Sequence, residues 1–241
     1  MKRSNHREFL VALAIAMLFV DAVCVAQRSP PPQENALLTA ARRAAEKDDL
    51  LGIQTLEPNA LSAVDANADR RGNRLILHLK SGTTKVYKNQ PECETPSLKS
   101  TCQKYALVAH VSRRDIFIVA KLYYESAEYL LVDDDSGSET TLRNFPALSP
   151  SGNHVLVLLM NDEQVGFAVQ VWRRAAHGFV LEWSGSPYTE GMYTSYELVR
   201  WTSENIIELR EETSFEPPKP SVRKHFELRY AVHKWNVAEA P

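Results

Sequence analysis

Three consecutive acids, Asp133 to Asp135, are the first residues of this chain whose type and spacing suggest chemistry. Grouped carboxylates can bind calcium. However, a calcium-binding loop alternates ligands with spacers and has a glycine at its sixth position and an acid at its twelfth. Counted from Asp133, those positions hold Ser138 and Asn144. The sequence therefore predicts a solvated hairpin turn here and no metal site.

The histidines and candidate nucleophiles also lack the spacing of a catalytic or metal site. No pair of histidines after the N-terminal segment is two or four positions apart, as compact metal motifs require. They are His78, His110, His154, His177, His225 and His233. Ser184 lacks the Gly-x-Ser-x-Gly frame of a serine nucleophile. Glu211 and Glu212 are adjacent, so a strand would point them to opposite faces. We expect no catalytic residues and no cofactor, the alternative being a site whose polar residues converge only in the fold.

The segment Ser184 to Tyr196 has the composition of a recognition surface. Its serines and glycines surround four large side chains, Tyr188, Met192, Tyr193 and Tyr196. Tyrosine gives a large contact area with few rotamers to immobilise, which suits it to binding loops. We predict that these four residues bind a partner protein; the alternative is that the rings pack onto the neighbouring sheet. The stiff segment from Phe215 to Pro220 is expected to flank the same rim.

The N-terminal segment predicts export. A basic start (residues 2–7) precedes the apolar run Leu10–Val20, and small residues lead to Ala26. These are the three parts of a secretory signal peptide, so we expect cleavage after Ala26 and a periplasmic location. The run is about half the roughly 20 residues needed to cross a membrane, so no membrane span is expected. Val23 disfavours a lipid anchor at Cys24.

The charge of the chain narrows the classes of partner, and its cysteines suggest a disulfide. The formal net charge is −2 without a clustered basic excess, so no nucleic-acid binding is predicted. Cys93 and Cys102 enclose a polar, turn-rich segment, and no further His or Cys nearby completes a tetrahedral metal site. In an oxidising compartment we expect this pair to form a structural disulfide.

The elements that would position these residues change character along the chain. Residues 27–72 predict a Pro-rich spacer and one helix, Asn35–Leu51, with Gly52 as its stop and an irregular segment from Pro58 to Gly72. Residues 73–241 predict a blade-like β domain. Strand, Gly-bearing turn and strand follow one another at 75–87, 129–142 and 167–183.

A second pattern interleaves with these hairpins. An apolar residue, a polar turn and a β-rich strand recur at Val111, Leu148 and Trp201, which are spaced by 37 and 53 residues. Repeats of about 40–50 residues with four strands each are typical of propeller blades.

Two of these segments resemble a known family. Phe145–Leu156 resembles the F-S-P-D-G-K-hydrophobic turn of TolB-like and related β-propeller repeats, with Ser151 in the place of the usual Asp. Val132–Gly137 resembles the D-x-x-T/S-G hairpin of such blades. The resemblance implies a scaffold and no activity. Only three or four blades fit the chain, fewer than is common in that group.

We therefore expect an all-β fold, a small or incomplete β-propeller-like arrangement of three to four blade-like antiparallel sheets, with one N-terminal helix. A sandwich of blade-like sheets is the alternative. The predicted function is a secreted, non-enzymatic protein-binding module. An inhibitor or immunity-type protein that blocks a toxin or envelope enzyme is favoured, and an envelope-assembly adaptor has the same physical requirements. The alternative from another class is a periplasmic hydrolase or small-ligand-binding protein.

Overall fold

The computed structural model describes residues 32–90, 102–159, 169–185, 193–214 and 222–239. These residues are mostly β and form four antiparallel sheets with few helices, which confirms the all-β class. No closed ring of sheets is seen in these ranges. None of the helices within them is long and apolar enough to cross a membrane.

From residue 32 onward, three α-helices precede the sheets, where the sequence predicts one: α1 (Pro32–Ala45), α2 (Leu50–Thr55) and α3 (Glu57–Val64). The predicted helix ends early because Asp48 adopts a left-handed φ of 51°. Asp49 then caps α2 by accepting a hydrogen bond from the Gly52 amide at 2.7 Å. Gly52 is therefore part of a second helix and not a stop.

The segment predicted to be irregular, Pro58 to Gly72, is instead mostly regular structure, which attaches the helices to the sheets. The Glu57 carboxylate at the start of α3 accepts a hydrogen bond from the Leu107 amide at 2.8 Å and pairs with Arg70. Arg70 also donates to the Tyr105 carbonyl at 2.6 Å. These side chains occupy backbone groups at the edge of a strand that would otherwise be unpaired.

The strands follow chain order within every sheet. Sheet 1 contains β1 (Ala68–Arg71), β2 (Arg74–His78) and β3 (Thr84–Lys88). Sheet 2 contains β4 (Lys104–Val111), β5 (Ile116–Leu122), β6 (Ala127–Asp133) and β7 (Glu139–Leu142). Sheet 3 contains β8 (Ala147–Leu148), β9 (His154–Leu158), β10 (Val169–Ala175) and β11 (Gly178–Gly185). Sheet 4 contains β12 (Tyr193–Ser203), β13 (Ile206–Ser214), β14 (Val222–Ala231) and β15 (Lys234–Glu239).

The two sequence patterns correspond to real pairings. The three predicted hairpins are β2–β3, β6–β7 and β10–β11, all antiparallel. Val111, Leu148 and Trp201 lie at or near the end of the first strand of sheets 2, 3 and 4, just before the turn to the second strand. The recurrence therefore marks equivalent positions in three successive sheets.

The middle sheets are buried on both faces. In β5, Ile116 and Ile118 pack into the core shared with sheet 3, while Phe117 and Val119 pack into the core shared with sheet 1. In the same way β9 contributes to the cores on both sides of sheet 3. Strands covered on both faces read as continuous apolar runs, as these do.

Sheet 4 has one apolar and one charged face. Its apolar face packs on sheet 3 through residues such as Ile207 and Leu209. The opposite face has cross-strand ion pairs, including Arg200 with Glu208 at 2.7 Å and Arg223 with Glu212 at 3.3 Å. In the described residues of sheet 4, this outer face is thus mostly charged.

Candidate binding site

The sheets have two different ends. At the first, here called the turn end, tight turns at 112–115, 134–138, 149–153 and 204–205 join strands. At the second, the loop end, lie the connections 123–126 and 143–146, together with the C-terminal ends of β9, β11 and β13. The turn end contains the acidic triplet and the Ser149 turn, whose polar groups are the candidates for chemistry.

Asp133 connects two sheets at the turn end. The Arg174 Nε of β10 lies 3.1 Å from Asp133 Oδ2, and Arg174 Nη1 donates to the Arg114 carbonyl at 2.6 Å. Burial opposes ionisation of Asp133, but hydrogen bonds from Ser136 and Arg174 outweigh it and lower its pKa. The carboxylate is therefore held ionised as part of the structure.

Asp134 is also buried and engaged. His110 Nε2 lies 3.0 Å from Asp134 Oδ2, and the His110 ring stacks on Phe117 with a centroid distance of 4.1 Å. Burial lowers the pKa of His110, although Asp134 acts in the opposite direction. The Lys80 amide donates to Asp134 Oδ1 at 3.1 Å. The predicted hairpin turn is confirmed, but its predicted solvation is wrong for Asp133 and Asp134; of the three acids only Asp135 is exposed.

The turn that carries the TolB-like resemblance is fixed by sheet 4. Glu204, in the β12–β13 turn, accepts hydrogen bonds from Ser149 Oγ at 2.8 Å and Ser151 Oγ at 2.7 Å. Ser149 Oγ in turn accepts from the His154 amide at 3.1 Å. These hydrogen bonds therefore hold sheets 3 and 4 together.

His154 lies in an aromatic cluster between sheets 3 and 4. Its ring centroid is 5.5 Å from that of Trp235, 6.1 Å from Tyr230 and 6.5 Å from Trp201. Its Nε2 is 3.3 Å from a Glu182 oxygen, yet among the described residues neither ring nitrogen has a hydrogen-bond partner.

Glu182 reaches this cluster through a β-bulge. Val171 pairs with Trp183 and Trp172 with Leu181, which leaves Glu182 as the extra residue of β11. Its carboxylate accepts a hydrogen bond from Trp235 Nε1 at 2.8 Å and one from Arg173 Nε at 3.1 Å. The rings are thus packed together and Glu182 is hydrogen-bonded beside them, which indicates a structural role. Across the described ranges, no group of three or more His, Cys, Asp or Glu side chains could hold a metal ion.

The loop end contains open space. A cavity of about 320 Å³ lies between the C-terminal end of α1, sheet 3 and β12. Its walls are mainly apolar and include Phe145, Ala147, Leu156, Leu158, Leu159 and Leu198. A second cleft of about 420 Å³ shares Asp48 and Asn144 with the first.

Two hydrogen bonds of Asn144 fix one wall of the cavity. Asn144 Nδ2 donates to the Leu158 carbonyl at 2.7 Å, and Asn144 Oδ1 accepts from the Phe145 amide at 2.7 Å. The connection between sheets 2 and 3 is thereby fixed against β9. On the other side, burial lowers the pKa of Arg42 in α1, while Glu46 raises it. The cavity thus has a fixed apolar wall and a charged rim.

Some of the residues predicted to bind a partner lie at the loop end. Tyr196 lines the cavity, and its half-buried ring packs edge-on against Phe226 at a centroid distance of 5.9 Å. Tyr193 is the first residue of β12. Tyr188 and Met192 lie outside the described residues, but Gly185 and Tyr193, which flank them, both belong to the loop end. Sequence reasoning missed the cavity, since α1, sheet 3 and β12 are far apart in the chain.

Other predicted residues fall outside the described ranges. Cys102 lies half-buried just before β4, whereas Cys93 is not among the described residues. The disulfide therefore stays a prediction. The same holds for residues 1–26 and for the segment Phe215 to Pro220.

Comparison with known proteins identifies no relative. The chain matches no protein-family model, no curated protein and no solved structure.

Proposed function

We propose that the protein is an exported, non-enzymatic binding module that holds another protein at its loop end. The observation that carries this proposal is the apolar cavity beside Tyr196, at the end where β11 and β12 flank the tyrosine-rich segment. Binding sites are typically concave and mostly apolar with a few polar groups. The cavity has this composition.

The contacts at the turn end are those of a scaffold, which supports the proposal. Its buried polar groups are bonded to one another across the sheets, as in the contacts of Arg174 with Asp133 and of Glu204 with Ser149. A rigid sheet stack that presents loops is a common arrangement for recognition. We propose that its three four-stranded sheets correspond to blades of an incomplete propeller. The charged outer face of sheet 4 supports this arrangement, because a further blade would pack poorly on a charged face.

The partner that we propose is a toxin or an envelope enzyme which this protein blocks, as an inhibitor or immunity protein does. The predicted signal peptide and the predicted Cys93–Cys102 disulfide support a periplasmic location. An envelope-assembly adaptor would use the same surface. The cavity also supports a second candidate, a small-ligand-binding protein, because about 320 Å³ lies within the usual range of ligand pockets.

The proposal is tested by capture from periplasmic extract. Wild-type protein is compared with Tyr188→Ala/Tyr193→Ala and with Ser195→Trp, which places a large ring at the cavity wall. Asp135→Ala, at the turn end, is the matched control because Asp135 is exposed. We expect a protein that wild type and control retain and both loop-end variants lose. Equal recovery by all four proteins would contradict the proposal.

A further inference from the structure

We infer that the loop-end cavity accepts a lysine or arginine side chain of the partner, with the aliphatic stem inside and the cation at the rim. This inference rests on the proposed function and names the chemistry of the group that binds. It follows from three properties of the cavity: its walls, its charge and the position of one carboxylate.

The walls suit an aliphatic stem. Leu156 is fully buried and Leu158 and Leu198 are half-buried around the cavity. Burying methylene groups against such a surface is favourable by roughly 0.8 kcal/mol for each group. Lysine and arginine stems can use this surface while their charged ends stay at a wet rim.

The rim favours a cation. Its charged residues are three acids, Glu46, Asp48 and Glu197, and one base, Arg42. Because Arg210 pairs with Glu197, the formal charge of this group together with Arg210 is −1. The adjoining cleft adds one acid, Glu125, and one base, Arg143, so the balance is unchanged. An anionic ligand would meet net repulsion here, whereas a cationic one is attracted.

Asp48 is the carboxylate best placed to receive that cation. Glu197 forms an ion pair with Arg210, and the charge of Glu46 opposes the lowering of the Arg42 pKa by burial. Asp48 is exposed, and in the described part of the chain it forms no ion pair and its carboxylate no hydrogen bond. It lies in the turn between α1 and α2 and contributes to both clefts. Tyr196, on the opposite wall, adds an aromatic ring, which also favours cations.

Small probes test this inference directly. Hexylammonium, hexanol and hexanoate have similar apolar chains and differ in charge. Each is titrated into the whole protein, and NMR shifts of the Leu158 and Leu198 methyl groups are followed. We expect hexylammonium to bind with a dissociation constant on the order of millimolar, more tightly than hexanol, with hexanoate weakest.

Variants locate the charge effect. Asp48→Asn should weaken hexylammonium binding about threefold, the effect of one exposed ion pair, and raised salt should reduce the difference. Asp135→Asn, the control at the turn end, should leave binding unchanged. Equal binding of hexylammonium and hexanoate, or equal effects of the two variants, would overturn the inference.

The same reagents separate this inference from the proposed function. If hexylammonium fails to bind but Ser195→Trp still prevents capture of the partner, the cationic assignment is wrong and the binding function stands. If Ser195→Trp leaves capture intact, the proposed function is wrong whatever the probe does.

Discussion

Arg174 of sheet 3 holds the Asp133 carboxylate of sheet 2, with its Nε 3.1 Å from Oδ2, and the same guanidinium donates to the Arg114 carbonyl. The contact joins the third strands of two successive sheets. Both side chains are largely buried, so the pair contributes to how the sheets are held relative to one another.

Replacing Arg174 should therefore destabilise the protein. Arg174→Met leaves Asp133 without its cation in a mostly buried place, and we expect the free energy of unfolding to fall by about 2–3 kcal/mol. Arg200→Met is the control, because the Arg200–Glu208 pair lies on the exposed face of sheet 4 and should be worth less than about 1 kcal/mol. Urea unfolding measures both, and equal losses would contradict the interpretation.

His110 predicts how stability depends on pH. Burial lowers its pKa in the folded protein, so at mildly acidic pH the unfolded chain binds a proton that the folded one does not. Stability should be complete above the unfolded pKa of about 6.5 and should fall as pH drops below it. His110→Gln keeps a donor towards Asp134 and should flatten this slope between about pH 7.5 and 5.5.

Urea unfolding at several pH values and constant ionic strength gives the slope. His177→Gln serves as the control because His177 lies exposed in the β10–β11 turn. A slope that is the same in wild type and His110→Gln would show that another group is responsible.

Glu204 should stabilise the contact between sheets 3 and 4. Glu204→Ala removes the acceptor for Ser149, which is fully buried, and for Ser151. We expect a loss of about 1–3 kcal/mol in the free energy of unfolding, with partial recovery in Glu204→Gln. Glu212→Ala, which breaks an exposed pair with Arg223, should cost less than about 1 kcal/mol. Equal losses in the two alanine variants would refute this role.

In the aromatic cluster around His154, we predict a substitution that does not lower the free energy of unfolding. Within the described parts of the chain, neither ring nitrogen of His154 has a hydrogen bond, and the ring lies among Trp201, Tyr230 and Trp235. His154→Phe should therefore keep or increase the free energy of unfolding, because it removes two desolvated polar atoms. His110→Phe should instead cost about 1–3 kcal/mol, since it leaves buried Asp134 without that contact. A loss above about 1 kcal/mol in His154→Phe would show that the imidazole is bonded.

The sequence predicted those parts of the fold that depend on local pattern. The hairpin β6–β7 and the turn at Ser149 have their strand and turn residues close together in the chain. The recurrence at Val111, Leu148 and Trp201 likewise reflects local sequence. It does not show how the sheets pack against one another.

The contacts that hold the sheets together depend on distant residues. Asp133 and Arg174 are 41 positions apart, and Ser149 and Glu204 are 55 apart. No local signal shows that an acid in a turn will be buried by a neighbouring sheet, which is why the solvation of Asp133 was predicted wrongly. The candidate site was anticipated only through Tyr196, because composition identified the segment but could not show the cavity beside it.

The binding function is tested most directly by the affinity of one purified partner. The protein recovered by capture is titrated against wild type, Tyr188→Ala/Tyr193→Ala, Ser195→Trp and the turn-end control Asp135→Ala, with each variant first checked for native unfolding behaviour. We predict that both loop-end variants raise the dissociation constant at least tenfold and that the control matches wild type. Unchanged affinity in the loop-end variants, or an equal loss in the control, would contradict binding at the loop end.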